Sequence, residues 1–166
     1  FSPNPYERVF FGGTVILCIT LLLGTTRYSG TGIEVIVSAI GGTARNTDFF
    51  WKMLFTAITL ACGYKGGEII PSFFVGATFG CVIAPVLGLS SSLGAAIGMV
   101  SVFCGVTNCP IASLLIALEL FGKAPILYFL LAIAISYMLS GYYSLYKTQI
   151  IAVSKYKNEY VDKKTH

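Results

Sequence analysis

The stretch that decides the fold runs from Gly63 to Gly80 and reads Gly-Tyr-Lys-Gly-Gly-Glu-Ile-Ile-Pro-Ser-Phe-Phe-Val-Gly-Ala-Thr-Phe-Gly. An apolar segment ends in a glycine-rich loop, and this loop passes directly into a second apolar segment that begins near Pro71. The first amides of a helix have no acceptors within the helix, and the helix dipole adds a partial positive charge there. The pattern therefore predicts either an anion site built from backbone amides or a plain tight turn between two helices.

The whole chain is too poor in charge to coat a water-soluble globule. Of its 166 residues, 55% are hydrophobic and 11% are charged, whereas an ordinary soluble domain has about 25% charged residues. Residues 69–118 contain no charged side chain. This composition excludes a disordered chain, a coiled coil and nearly every cytosolic enzyme. It indicates a multi-pass protein of a cell membrane, surrounded by lipid or by other membrane-buried protein.

Prolines and glycines divide the apolar stretches into short predicted helices. Pro5, Pro110 and Pro125 each suit the first turn of a helix, and Asp48 or one of the two residues before it can cap another. Several of these helices are too short to cross a hydrocarbon core about 30 Å thick. Broken helices are typical of transporter sites, although a bundle with re-entrant loops fits equally well. The predicted helices are residues 5–23, 49–62, 72–86, 93–106, 111–121, 126–140 and 142–156.

Motifs for enzyme or metal chemistry do not occur in the sequence. His166 is the single histidine, and the five cysteines lie in apolar surroundings without the spacing of a zinc site. Neither a GxSxG motif nor a P-loop is present. We therefore expect no catalytic residue, no metal and no cofactor, and interpret the cysteines as small buried hydrophobic residues.

Lysines are concentrated at the C-terminal end, which predicts that this end is cytoplasmic. A nucleic-acid patch is the competing interpretation, but lysines beside an apolar span need no such partner, and we expect no nucleic acid. Residues 157–166 are expected to form a polar cytoplasmic tail. The lysines are Lys147, Lys155, Lys157, Lys163 and Lys164.

Beyond these patterns, the Gly63–Gly80 stretch resembles the Gly-x-Phe-x-Pro anion-binding segment of the CLC family of voltage-gated chloride channels and chloride/proton exchangers. The resemblance keeps its order along nearly the whole chain. Four further stretches are similar to family helices, namely Leu54–Leu60, Val75–Gly80, Gly94–Met99 and Pro110–Leu120.

The resemblance implies an all-α, polytopic membrane fold of tilted and discontinuous helices. Residues 1–156 resemble the C-terminal half of the inverted repeat, because the N-terminal motifs Gly-Ser-Gly-Ile-Pro and Gly-Arg-Glu-Gly-Pro do not occur in the sequence. The implied partners are the missing N-terminal half of the same protein, a second copy in a homodimer and membrane lipid. Alone, this chain is not expected to be a working pore.

The implied function is chloride transport, as a channel or as an antiporter that exchanges chloride for protons. The implied ligand is a chloride ion or another small anion, whose site the N-terminal half would complete. A fluoride exporter of the same family and a truncated membrane module without transport are the alternatives. The residues implied to bind the anion are Gly66, Gly67, Glu68, Ile69, Ile70 and Pro71, together with Tyr146 or Tyr143 from the predicted last helix.

Two positions depart from the family pattern. Ile69 stands where the family usually has Phe, and Glu68 precedes it. A carboxylate beside an anion is unfavourable unless it points away, is paired or is protonated. Glu68 is therefore expected to face away from the ion, to pair with Lys65, or to act in proton coupling. Its presence keeps the fluoride alternative open.

Overall fold

A computed structural model describes residues 4–64, 66–146, 148–155 and 160–165 of the chain. These residues form seven α-helices followed by a pair of short strands. The helices are α1 (Pro5–Leu23), α2 (Ile33–Ile40), α3 (Asp48–Ala61), α4 (Ile69–Ile83), α5 (Ser91–Thr107), α6 (Pro110–Phe121) and α7 (Ile126–Leu139). The strands are β1 (Ile150–Val153) and β2 (Tyr160–Lys164).

The ends of most helices follow the local sequence signals. Pro5 and Pro110 lie in the first turns of α1 and α6, and Pro125 directly precedes α7. After α4, a single 3₁₀ turn over Ala84–Leu87 contains Pro85, which interrupts the α-helix as predicted. These positions confirm six of the predicted helices to within a few residues.

Helix α2 was not predicted, and the predicted last helix, residues 142–156, is wrong. Helix α2 has only eight residues and begins directly after Gly32, whose positive φ of 71° ends the preceding loop. After α7, Gly141 turns the chain with a φ of 58°. Residues 142–146, 148 and 149 form no helix or strand, and β1 then pairs with β2 in antiparallel register, with an irregularity between Ile151 and Val153.

Helices α4 and α5 form the centre of the fold and lie very close together. Gly76 and Gly80 face Gly94 and Gly98, so closely that a methyl group on Gly76 or Gly80 would collide with the facing backbone. The small-residue spacing in the sequence predicts this approach. Helices α2 and α3 pack on one side of the pair and α6 and α7 on the other, which makes two apolar cores.

The outer surfaces of the helices remain apolar. Two segments are long and apolar enough to cross a membrane, Pro5–Leu23 and Ile69–Leu87. Helices α5, α6 and α7 are shorter and are also apolar. Among the cysteines, Cys62, Cys81 and Cys104 are buried as expected and Cys109 is half-buried, whereas Cys18 is exposed.

Candidate anion site

The glycine loop between α3 and α4 leaves open space in front of the first turn of α4. Gly66 and Gly67 are exposed, and a methyl group on either would meet no atom of the described chain within 4 Å. The loop is anchored to α1, because the Tyr64 hydroxyl donates a hydrogen bond of 2.9 Å to the Val9 carbonyl oxygen. The loop therefore holds an accessible stretch of backbone in a defined place.

The first turn of α4 lacks a capping side chain. Glu68 occupies the position before the helix, with a helical backbone conformation and no capping hydrogen bond from its side chain. Its carbonyl oxygen accepts bonds from the Ser72 amide and hydroxyl, at 3.2 and 2.7 Å. Pro71 has no amide hydrogen, so the amides of Glu68, Ile69 and Ile70 are the donors at this helix end. Such a group of donors can bind an anion.

Glu68 lies between two cavities. One, of about 250 Å³, runs from Glu68, Gly66 and Gly67 along α3 to Lys52. The other, of about 330 Å³, is bounded by α3, α4, α5 and Leu145. Within the described parts of the chain, the Glu68 carboxylate has no hydrogen bond or ion pair, and the suggested partner Lys65 lies outside them.

Lys52 is a buried cation that the sequence analysis did not identify. It is 3% exposed and lies on α3. Its ammonium group donates hydrogen bonds to the carbonyl oxygens of Tyr28 and Gly30 and lies 5.1 Å from the centre of the Phe74 ring. Its place within the apolar segment 49–62 could have identified it from the sequence. A charged side chain in such a segment is costly and is usually paired or functional.

A second charged cluster fixes the N-terminal end of α3. Asp48 is fully buried and accepts hydrogen bonds from Arg27, at 3.0 Å, and from the Tyr28 hydroxyl, at 2.7 Å. The Arg45 amide also donates to this carboxylate. Burial, reinforced by the hydrogen bond to Asp48, raises the pKa of Tyr28 to about 12. This cluster joins the loop after α1 to the start of α3 and so supports the cavity wall near Lys52.

The two candidate tyrosines lie on the loop after α7 rather than on a helix. The exposed fractions of Tyr143 and Tyr146 are 70% and 45%, and neither ring lines the two cavities beside Glu68. Leu145, between them, does line the larger cavity. The loop is tied to the end of α5, where the Leu145 amide donates to the Val106 carbonyl oxygen at 2.9 Å. The structure thus brings residues 141–146, the tyrosine loop, close to the first turn of α4.

Known proteins resemble the chain in sequence and in structure. The profile of a family described as voltage gated chloride channel matches residues 2–141. A chloride/fluoride channel protein of Pseudomonas syringae pv. tomato is 37% identical over 155 residues, which are 90% of this chain and 34% of that protein. An uncharacterized protein of Methanocaldococcus jannaschii is 30% identical over 71 residues, which are 43% of this chain and 18% of that protein.

Among solved structures, the crystal structure of a CLC-type fluoride/proton antiporter is similar, with a TM-score of 0.82 and 34% identity. The similarity covers 87% of this chain and 37% of that one. The chain therefore spans about a third of the length of the Pseudomonas protein and of the antiporter. The agreement confirms the resemblance and the all-α fold that the sequence predicted.

Proposed function

This chain belongs to the voltage-gated chloride channel (CLC) family, and we propose that it supplies part of the anion site of a transporter that moves fluoride across a membrane in exchange for protons. Members of this family are membrane transporters and channels rather than enzymes. The observation that carries the proposal is the first turn of α4, which has no capping side chain and directly follows the open space around Gly66 and Gly67.

The anion is proposed to bind through backbone amides. The amides of Glu68, Ile69 and Ile70 point their partial positive charge into the space that the two glycines leave free. Tyr143 or Tyr146 is proposed to donate a phenol hydrogen bond from the neighbouring loop once the rest of the protein surrounds the site. An anion held in this way needs no fixed cation in direct contact with it.

One observation favours fluoride over chloride, and a second concerns the coupling to protons. Two relatives carry fluoride in their names, a chloride/fluoride channel protein and a fluoride/proton antiporter. Glu68 stands at the helix end and lines both cavities. A protonated carboxyl group can donate a hydrogen bond, whereas a carboxylate repels an anion. Glu68 is therefore proposed to gain a proton when the anion is present, which would couple the two movements.

Chloride transport is the second candidate, because the matching family profile is that of the chloride channels. The phenol groups of Tyr143 and Tyr146 are donors that suit chloride in a dry site. Channel and exchanger differ in whether a proton gradient can drive the anion uphill, so one experiment separates them.

The exposed apolar side chains of the helices support the proposed partners of the chain. The outer faces of α1, α6 and α7 expose large apolar side chains, for example Phe10, Leu22, Leu127 and Leu139. Lipid, the N-terminal half of the protein and a second copy in a homodimer are proposed to cover these faces. The protein is accordingly proposed to be multi-pass.

The test is anion efflux from liposomes that contain the complete gene product including this chain. We expect fluoride efflux that exceeds chloride efflux, and we expect an imposed pH gradient to drive fluoride against its own gradient. Efflux of chloride alone would support the second candidate. Absence of any anion flux from a folded, reconstituted protein would refute transport and leave a membrane module without transport activity.

A variant of Glu68 tests the coupling. Glu68→Gln keeps the size of the side chain and a hydrogen-bond donor but has no group that can gain and lose a proton in the accessible pH range. We expect it to retain fluoride binding and to lose transport driven by the pH gradient. Glu119→Gln, on the other side of α5 at the end of α6, is the matched control and should leave the coupling unchanged. Full proton coupling in Glu68→Gln would contradict the assignment.

A further inference from the structure

The residues that hold the tyrosine loop form a clamp at the junction of α5 and α6. Asn108 lies between these helices, is 4% exposed and has a positive φ of 57°. Its side-chain nitrogen donates to the carbonyl oxygens of Gly141 and Tyr143, each at 3.1 Å. Its side-chain oxygen accepts a bond of 2.6 Å from Lys155. One buried amide therefore joins both ends of the segment 141–155.

Lys155 completes the clamp and uses all of its hydrogen-bonding capacity. Besides Asn108, its ammonium group donates to the Tyr137 carbonyl oxygen at 2.7 Å and to the Ser140 hydroxyl at 3.1 Å. It also lies 3.8 Å from the centre of the Tyr137 ring. A cation at the C-terminal end of a helix interacts favourably with the helix dipole. Lys155 thus caps α7 and fastens the end of the loop at the same place.

Further bonds fix the middle of the loop. The Ser144 hydroxyl lies 3.0 Å from the Thr107 carbonyl oxygen and 2.7 Å from the side-chain oxygen of Gln149, and it can donate its one hydrogen to either of them. The Thr165 hydroxyl donates to the carbonyl oxygen of Tyr146 at 2.7 Å. The backbone on both sides of Leu145 is held, and Leu145 shares a cavity with Glu68.

We propose that Lys155 and Asn108 are positioning residues that set the tyrosine loop, and with it Tyr143 and Tyr146, against the anion site. This inference rests on the proposed function. Neither residue touches the anion. They determine where the two phenol groups stand, because residues 141–146 form neither helix nor strand and are held by these bonds.

The test compares Lys155→Met with Lys155→Arg in the complete gene product reconstituted in liposomes. Lys155→Met keeps the length and apolar stem of the side chain but removes all its donors, whereas Lys155→Arg keeps the charge and the donors. We expect Lys155→Met to raise the half-saturating anion concentration by about threefold to tenfold, as the loss of charge-assisted hydrogen bonds implies. Lys155→Arg should restore most of the affinity. Lys123→Met, at an exposed lysine between α6 and α7, is the control and should leave the affinity unchanged.

A second variant addresses the case in which Lys155→Met does not fold. Asn108→Gly removes the amide but tolerates the positive φ of this position, and we expect the same rise in half-saturating concentration. A purely structural role would lower the amount of folded transporter and the maximal rate while the half-saturating concentration stays the same, and that result would overturn the inference. Absence of flux in the unmodified protein would instead refute the proposed function itself.

Discussion

At the residue scale, Gly66 and Gly67 leave open space directly before α4, where the proposed anion would bind. Gly67 does not have a positive φ, and a methyl group on it would meet no described atom within 4 Å. The fold therefore does not need a glycine at this position. The missing side chain instead leaves the amides of the first turn of α4 accessible.

Gly67→Ala is therefore expected to fold normally and to bind the anion more weakly. The new methyl group would occupy space in the proposed anion site, so we expect the loss to appear in the binding constant measured by calorimetry. The matched control is Gly30→Ala, since Gly30 also lacks a positive φ and has open surroundings but lies at the Lys52 end of the cavity. Equal anion affinity in Gly67→Ala and the unmodified protein would contradict the assigned position of the site.

Tyr28 gives a prediction for alkaline pH. Its pKa is about 12 in the folded chain and 10.0 in the ordinary case, so between these values the folded state binds a proton that the unfolded state has lost. The free energy of unfolding then falls as pH rises through this range, by at most about 3 kcal/mol from this residue. Tyr28→Phe should be less stable near neutral pH, because it lacks the bond to Asp48, but should show a shallower decline above pH 10.

Thermal unfolding in detergent at several pH values measures this difference. Tyr160→Phe is a suitable control, because Tyr160 is exposed, and its decline should match that of the unmodified chain. Parallel declines for Tyr28→Phe and the unmodified chain would show that the Tyr28 hydroxyl keeps an ordinary pKa after folding.

At the element scale, the sequence predicts a helix end where a proline or a capping residue marks it. It does not predict the conformation of a segment that is fixed by contacts with residues far away in the sequence. Pro110 identifies the start of α6 because it fits the first turn of a helix and cannot continue one. The segment after Gly141 has an apolar pattern that suits a helix as well as a strand, and its conformation is fixed by Asn108 and Lys155. Such contacts are separated by many residues, so no local pattern reveals them.

The same reasoning applies to the site. Gly66–Pro71 was predictable as a helix start because loop and helix are adjacent in the sequence. Lys52 was not, because its place beside this loop results from the packing of α3 against the segment that contains Tyr28 and Gly30. The exposure of Tyr143 and Tyr146 was not predictable either, because the sequence pattern favoured a regular helix there and the structure has a loop.

The contact between α4 and α5 gives the prediction at this scale. At Gly80, an added methyl group would collide with the carbonyl group of Gly94, a backbone atom that cannot move aside as a side chain can. Gly80→Ala should therefore lower the free energy of unfolding by about 1–3 kcal/mol or more, the usual cost of overpacking. Chemical or thermal unfolding in detergent measures the loss. Gly66→Ala, in open surroundings, should cost far less, and equal stability of the two variants would contradict the close packing.

At the scale of the whole molecule, the unusual property of this chain is how much apolar surface its helices leave uncovered. On α7, the outward side chains Leu127, Leu131, Ile135 and Leu139 recur every fourth residue and are all exposed. A spacing of four places them on one face of the helix. Lipid, the rest of the protein or a second copy can each cover such a face. Contact with a second copy in a symmetric dimer additionally requires that the face be complementary in shape to the same face of the partner.

Leu131→Trp distinguishes these coverings in the complete gene product. Leu131 is near the middle of the α7 face, with 64% of its surface exposed, and a bulkier side chain there disturbs a matched protein surface but not fluid lipid. We expect the dimeric fraction in membranes, measured by single-molecule photobleaching, to fall clearly. Leu21→Trp, on the exposed face of α1, is the control and should leave the dimer intact. A dimeric fraction that is unchanged by Leu131→Trp would place the α7 face against lipid or the N-terminal half, and the homodimer would then have to form through another surface.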